Sequence, residues 1–322
     1  MKDRTHPVYR YILGVPVILL IAALCGCEVM IPVTVGGRVI PGLWLISLLL
    51  LAGLCGIQET LRLMRRIGSD PPSGVVYLSG TLILLAPYLP VILPEARVNG
   101  IPWDLFAILA ILVSGSLAVI LAQMGRYPGP ESNGATLRGI LGGVFTIFYV
   151  PLLLCFTAMI LLDPRMGVGV LGGMILLVKS GDMGAYFFGR LFGKRGTNGL
   201  PVHPMSPVLS PKKSMEGLGG AVLVPVIVMI LIMVVLDQFP AQEAIFRETI
   251  PYHRAILCLL AAVLGLVGMY GDLAESLLKR EAGVKDSSEW LPGFGGVLDM
   301  IDSVLFAAPV TYGILWITDV LR

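Results

Sequence analysis

The sequence predicts an all-α, polytopic integral membrane protein of about nine transmembrane helices, with its amino terminus in the cytoplasm. Three observations carry that expectation. Apolar residues make up 56% of the 322-residue chain and charged residues only 14%, against about 25% charge in a soluble domain. Mean hydropathy is +0.87. The apolar residues also fall in separate runs, most of them close to the roughly 20 residues that span a bilayer.

In order, the runs are 11–31, 39–57, 75–93, 103–123, 140–162, 167–188, 218–236, 255–270 and 303–321. Around Leu24-Cys25-Gly26-Cys27 the first run has a faint likeness to a lipoprotein cleavage box. It is long enough to span uncut, and retention is expected. Pro and Gly inside several runs predict kinks or close helix contacts. No soluble domain or linker stands out. The expected division is an amino-terminal membrane scaffold, 1–165, and a carboxyl-terminal catalytic region, 166–322, in one continuous membrane unit.

Basic residues set the orientation. Alternate segments beginning with the amino terminus hold sixteen of them, including Arg62, Arg65, Arg66, Arg126, Arg138, Lys212, Lys213, Lys279 and Arg280. The opposite segments hold six: Arg38, Arg97, Arg165, Arg247, Arg254 and Arg322. The positive-inside rule then places the loops 190–217 and 271–303 in the cytoplasm. Arg62, Arg65 and Arg66 read as topology signals or as contacts for anionic lipid head groups.

Composition also excludes some chemistry. The five cysteines lie in apolar runs without metal spacing and read as small buried hydrophobes. His6, His203 and His253 are too scattered for a histidine metal site or a Ser/His/Asp triad. No nucleic-acid partner is expected.

Charge is concentrated late in the chain. If the helix of run 255–270 continues to Arg280, then Asp272, Glu275, Ser276 and Lys279 form one polar stripe. Pro292-Gly293-Phe294-Gly295-Gly296 predicts a tight turn. Asp299 and Asp302, three apart, then start the last helix on one face. By spacing alone, two readings stand. Carboxylates from two helix ends suit Mg²⁺; alternatively, Asp299 is a helix cap among solvated charges. Lys179 and Asp182 interrupt an apolar run, either as a pair that locks packing or as part of a polar pocket. Ser210-Pro211-Lys212-Lys213-Ser214 closes a basic loop that could hold phosphates or serve topology only. The glycine-rich phosphate loop ending in Gly-Lys-Ser/Thr is absent.

These residues resemble the CDP-diacylglycerol synthase (phosphatidate cytidylyltransferase) family. Its carboxyl-terminal signature is matched by Ser276, Lys279, Arg280, Lys285, Asp286, Pro292, Gly293, Gly295, Gly296, Asp299 and Asp302. A second block runs from Asp182 to Arg190 through Gly184-Ala185-Tyr186-Phe187-Phe188-Gly189, and Ser210–Ser214 is a third. The likeness covers roughly 170–315. Phe294 stands where the signature has His, Met300 where it has Arg, and Lys212 where the loop has Gly.

The resemblance implies an enzyme that makes CDP-diacylglycerol and pyrophosphate from CTP and phosphatidate. It implies Asp272, Lys279, Asp299 and Asp302 as catalytic residues and Asp272, Asp299 and Asp302 as ligands of Mg²⁺, leaving a second cation open. Asp182, Ser210, Lys213, Ser214, Lys279 and Arg280 would meet CTP or shape its pocket. The expected location is a bacterial inner membrane, with the active site facing the cytoplasm. The glycine-rich spans and the resemblance admit a homodimer. A cytidylyltransferase or CTP-dependent kinase for another membrane lipid, a membrane transporter and an inactive homologue are the alternatives.

Overall fold

The computed structural model describes residues 23–24, 26–28, 30–31, 34–35, 38–39, 42–92, 97–98, 101–163, 167–194, 196, 200–239, 254–288 and 295–320. Helices dominate. Among the described residues, three short antiparallel pairs accompany them: β1 (Thr34–Val35) with β2 (Arg38–Val39), β3 (Arg97–Val98) with β4 (Ile101–Pro102), and β5 (Pro204–Ser206) with β6 (Ser210–Ser214). The helices are α1 (Leu43–Arg66), α2 (Ser73–Val91), α3 (Trp103–Met124), α4 (Ala135–Leu162), α5 (Gly167–Leu191), α6 (Met215–Leu236) and α7 (Arg254–Glu281). All seven are long and apolar enough to cross a membrane. An eighth, α8 (Leu298–Val320), follows. Eight of the nine apolar runs thus coincide with helices. The run 11–31, and with it the amino-terminal orientation, lies largely outside the described residues.

The exposed surface has the character a bilayer demands. On α3, Leu109, Val113, Leu117 and Leu121 recur every fourth residue and are each more than half exposed. In water such a stripe would be an association surface; among lipid tails it is the solvated face.

Two compact units divide the chain. The first is Met1–Val168 with Leu278–Ile301; the second is Gly169–Leu277 with Asp302–Arg322. In the first, Ile57 of α1, Ile83 and Leu84 of α2, Val119 of α3 and Val150 of α4 are fully buried. Close packing follows from small residues: a Cβ at Gly80 would stand 2.6 Å from Ile57 Cδ1. Pro151 lacks the N–H that an α-helix uses, and α4 accommodates it with a π turn over Phe148–Leu152.

In the second unit, Val178, Ala221, Ala261, Leu305, Ala307 and Ala308 are fully buried. Its tightest crossing is at Gly265 of α7, where a Cβ would collide with the carbonyl of Ala221 on α6 and lie 2.8 Å from Pro225. Lipid tails are as apolar as side chains, so such helices associate through close contact of small residues rather than through hydrophobic exclusion.

Helix length places the charge. α7 has 28 residues, whereas a span needs about 20; the surplus falls in its carboxyl-terminal part, which holds the polar stripe. The helix ends on Gly283, whose φ of 67° is left-handed. The N–H of Gly283 donates to Arg280 O at 3.0 Å and that of Val284 to Lys279 O at 2.8 Å, the Schellman arrangement that closes the last carbonyls.

Gly265→Leu is expected to destabilise the protein by about 1–3 kcal/mol or to block folding. Gly219→Leu, on α6 with nothing within 4 Å of its Cβ position, should change stability by less than about 0.5 kcal/mol. Thermal unfolding of the two variants in detergent checks this; equal melting temperatures would contradict the crossing.

Candidate functional site

Strand alternation selects one lysine of the basic loop. β6 pairs with β5 through Pro204↔Ser214 and Ser206↔Ser210. Successive side chains on a strand face opposite ways, so Lys212 is exposed while Lys213 turns inward. Lys213 Nζ lies 2.7 Å from Asp272 Oδ2 on α7. The strand ends on Ser214, whose Oγ accepts from the N–H of Gly217 at 3.1 Å and caps α6. Ser210 begins the same strand, opposite Ser206.

Asp272 belongs to a larger group. Among the described residues, Asp272, Glu275 and Asp302 bring one carboxylate oxygen each within 4.8 Å of the others. Glu275 is fully buried and Asp302 is 6% exposed. Helix spacing puts Asp272 and Glu275 on one face of α7. Gly271 lets α8 approach that face, since a Cβ there would stand 2.6 Å from Asp302 O. Carboxylates this close and this buried need cations or protons to offset their mutual repulsion. The oxygen-only donor set suits Mg²⁺.

Lys179 and Asp182 of α5 join the same unit. Lys179 Nζ donates to Asp182 Oδ2 at 3.1 Å and to Ser303 Oγ at 2.6 Å, and lies 4.0 Å from Asp302 Oδ1. Intramembrane charge on a span costs roughly 2.5–3.5 kcal/mol on insertion scales, and here it is met by an opposite charge and a hydroxyl.

The first unit holds a second cluster. Lys279 Nζ donates to Asp299 Oδ1 at 2.5 Å. Asp299 Oδ2 accepts from the N–H of Gly296 at 2.7 Å, the N–H of Ser287 at 3.0 Å and Ser287 Oγ at 2.6 Å. Gly295 turns the loop with φ 85°, a conformation that glycine adopts without strain. Arg280 Nη1 donates to Val284 O at 3.2 Å, within the cap of α7. Phe294, one departure from the signature, lies outside the described residues; Met300, another, is half-buried on α8.

Sequence reasoning missed Glu59. Residue 59 is 4% exposed on α1. Its Oε1 accepts from the N–H of Val297 at 3.1 Å, and its Oε2 accepts from the N–H of Leu298 at 2.8 Å and from Ser287 Oγ at 2.9 Å. The N–H groups that open α8 are thus met by Glu59 from another helix. The signal was a single acid two residues past the apolar run 39–57. Glu275 was seen on the polar stripe but not as a member of a ligand group.

Beside this loop is a cavity of about 500 Å³ lined by Arg62, Arg66, Lys285, Asp286, Ser287 and Ser288, among others. Arg62 Nη1 reaches Ser288 Oγ at 3.4 Å. Arg65 instead pairs with Asp70 at 3.7 Å.

A polytopic helical bundle carrying buried carboxylates met by lysines has the make-up of a membrane enzyme for polyanionic substrates. The chain belongs to the cytidylyltransferase family, whose model matches residues 22–318. It is similar to the phosphatidate cytidylyltransferase of Mycobacterium bovis, at 29% identity over 286 residues, covering 86% of this chain and 81% of the relative. The phosphatidate cytidylyltransferase of Haemophilus influenzae is 40% identical over 148 residues, 46% of each chain. That of Staphylococcus epidermidis is 38% identical over 135 residues, 42% of this chain and 44% of the relative.

Lys179→Met should lower stability by about 1 kcal/mol, because Asp182 and Asp302 lose a partly exposed cationic partner. Adding Asp182→Asn should recover part of that loss, as read by thermal unfolding in detergent. A neutral single variant would remove the lysine from any role in holding α5.

Proposed function

We propose that this protein is a CTP:phosphatidate cytidylyltransferase of a bacterial inner membrane, working at the cytoplasmic face. The observation that carries the reading is the group of half-buried Asp272 with buried Glu275 and Asp302, with Lys213 on Asp272, in a chain of the cytidylyltransferase family. The reaction joins the phosphate of phosphatidate to the α-phosphorus of CTP; the bond to pyrophosphate breaks and CDP-diacylglycerol forms.

The attacking phosphate is already an anion and needs little help from a base. The protein's task is to hold two anions together and to balance charge on the leaving group. Asp272, Glu275 and Asp302 would hold Mg²⁺. When bound, the ion would supply charge neutralisation at the transferred and leaving phosphates. Lys213 holds Asp272 in place and brings positive charge to the same region. Lys279 and Arg280 are the candidates for CTP phosphate contacts, with Asp299 orienting the Lys279 ammonium. Ser210 and Ser214 belong to the strand that presents Lys213, and Asp182 balances Lys179. The positive-inside pattern supports a cytoplasmic site. A homodimer is part of the same reading, supported by glycines with open space at Gly169, Gly172 and Gly173 on α5.

Asp272→Asn and Asp302→Asn should each reduce Mg²⁺-dependent conversion of phosphatidate and CTP by at least about a hundredfold, and chelation of divalent cations should stop the wild type. The measurement is CDP-diacylglycerol formation with pyrophosphate release in detergent. Near-normal turnover in both variants would sink the metal assignment, and turnover with a different lipid phosphate alone would replace the substrate.

A further inference from the structure

We infer that Glu59 is a positioning residue for Lys279, acting through Ser287 and Asp299. The inference rests on the proposed role of Lys279 as a CTP phosphate contact.

Glu59 is nearly inaccessible and sits two turns before the end of α1. Its three donors are the N–H groups of Val297 and Leu298 and the hydroxyl of Ser287. The first N–H groups of a helix have no partner within it, and its positive end favours a carboxylate. An ordinary helix would meet that need with a Ser, Thr, Asp or Asn at its own N-cap. Before Leu298 the chain offers Gly295, Gly296 and Val297, none with a side-chain oxygen. A carboxylate more than two hundred residues away takes the role. A local cap would only satisfy the N–H groups; this one also fixes where α8 begins relative to α1.

Asp299 follows directly, so the same bonds set its position. Ser287 Oγ stands between the two acids, 2.9 Å from Glu59 Oε2 and 2.6 Å from Asp299 Oδ2. A hydroxyl has one proton and serves one acceptor at a time. The acids are therefore kept beside a shared hydroxyl by their other donors, the helix N–H groups for Glu59 and Lys279 with two backbone N–H groups for Asp299. Gly296 allows this closeness: a Cβ there would collide with both Ser287 Oγ and Glu59 Oε2. Lys279, a side chain on a flexible four-carbon stem, is thereby held through Asp299 to a rigid helix.

The test uses full-length protein in detergent with CTP, phosphatidate and Mg²⁺, and counts folded molecules by their monodisperse elution. Glu59→Gln keeps the shape of the side chain but offers one acceptor oxygen in place of two. It should lower kcat per folded molecule at least about tenfold, as expected for a misplaced contact group, with KM for phosphatidate within about twofold. Ser287→Ala, which leaves both backbone bonds to Glu59, should fall similarly. The double variant should fall about tenfold and not a hundredfold, because both changes break one chain of contacts. Normal kcat per folded molecule in Glu59→Gln, with only its melting temperature lowered, overturns the inference, as does a multiplicative double loss. If Glu59→Gln does not fold, Ser287→Ala decides alone, with wild-type kcat as the overturning result. A wild type that does not convert phosphatidate overturns the proposed function and this inference with it.

Discussion

A carboxylate removed from water in an apolar helix bundle forces its surroundings into place. Losing solvation is expensive for an ion unless a cation or several donors replace the water. Glu59, Glu275 and Asp302 are all buried, and Asp299 is fully engaged by neighbours. Their partners come from different parts of the chain: helix N–H groups for Glu59, and Lys279 and loop donors for Asp299. The loop between α7 and α8 would otherwise be a polar connection free to take many shapes. Its described parts instead fold onto these acids.

Glycine makes such placement feasible. Gly271 precedes Asp272, and a Cβ on it would press on the backbone of Asp302. Any larger residue would push α8 from α7 and separate the two carboxylates. Gly296 does the same service in the first unit, where the loop closes on Glu59. The chain's 39 glycines therefore do more than let apolar helices touch: at these two positions they bring like charges close enough to form a charged cluster.

The fold was legible because apolar runs of membrane length have few alternatives; the helices match eight runs, although α1 and α7 continue well past the carboxyl-terminal ends of theirs. Stripe spacing similarly revealed Asp272, Glu275 and Lys279 on α7. Glu59 was not legible, because reading the run as ending at Ile57 placed the acid outside the helix, whereas α1 continues to Arg66. Its partners lie far along the sequence, and single-sequence spacing carries no information on such pairs. The inward turn of Lys213 was equally hidden: it depends on a hairpin whose pairing fixes which lysine faces Asp272. The same alternation explains why Lys212 can stand in place of a glycine, since that position faces outward.

The two acids at the start of α8 are separated by one helical turn yet carry different duties. An ionised carboxylate has about four lone-pair sites. Asp299 uses that capacity on Lys279 and the N–H groups of Ser287 and Gly296, and shares the Ser287 hydroxyl with Glu59. A metal at Asp299 would have to displace one of them, Lys279 most directly. Asp302 stands instead within reach of Asp272 and Glu275, in a group made of oxygen ligands. One carboxylate thus holds a cationic side chain, whereas three others form a group whose oxygens would suit a divalent ion, a division that fits the proposed joining of two phosphates.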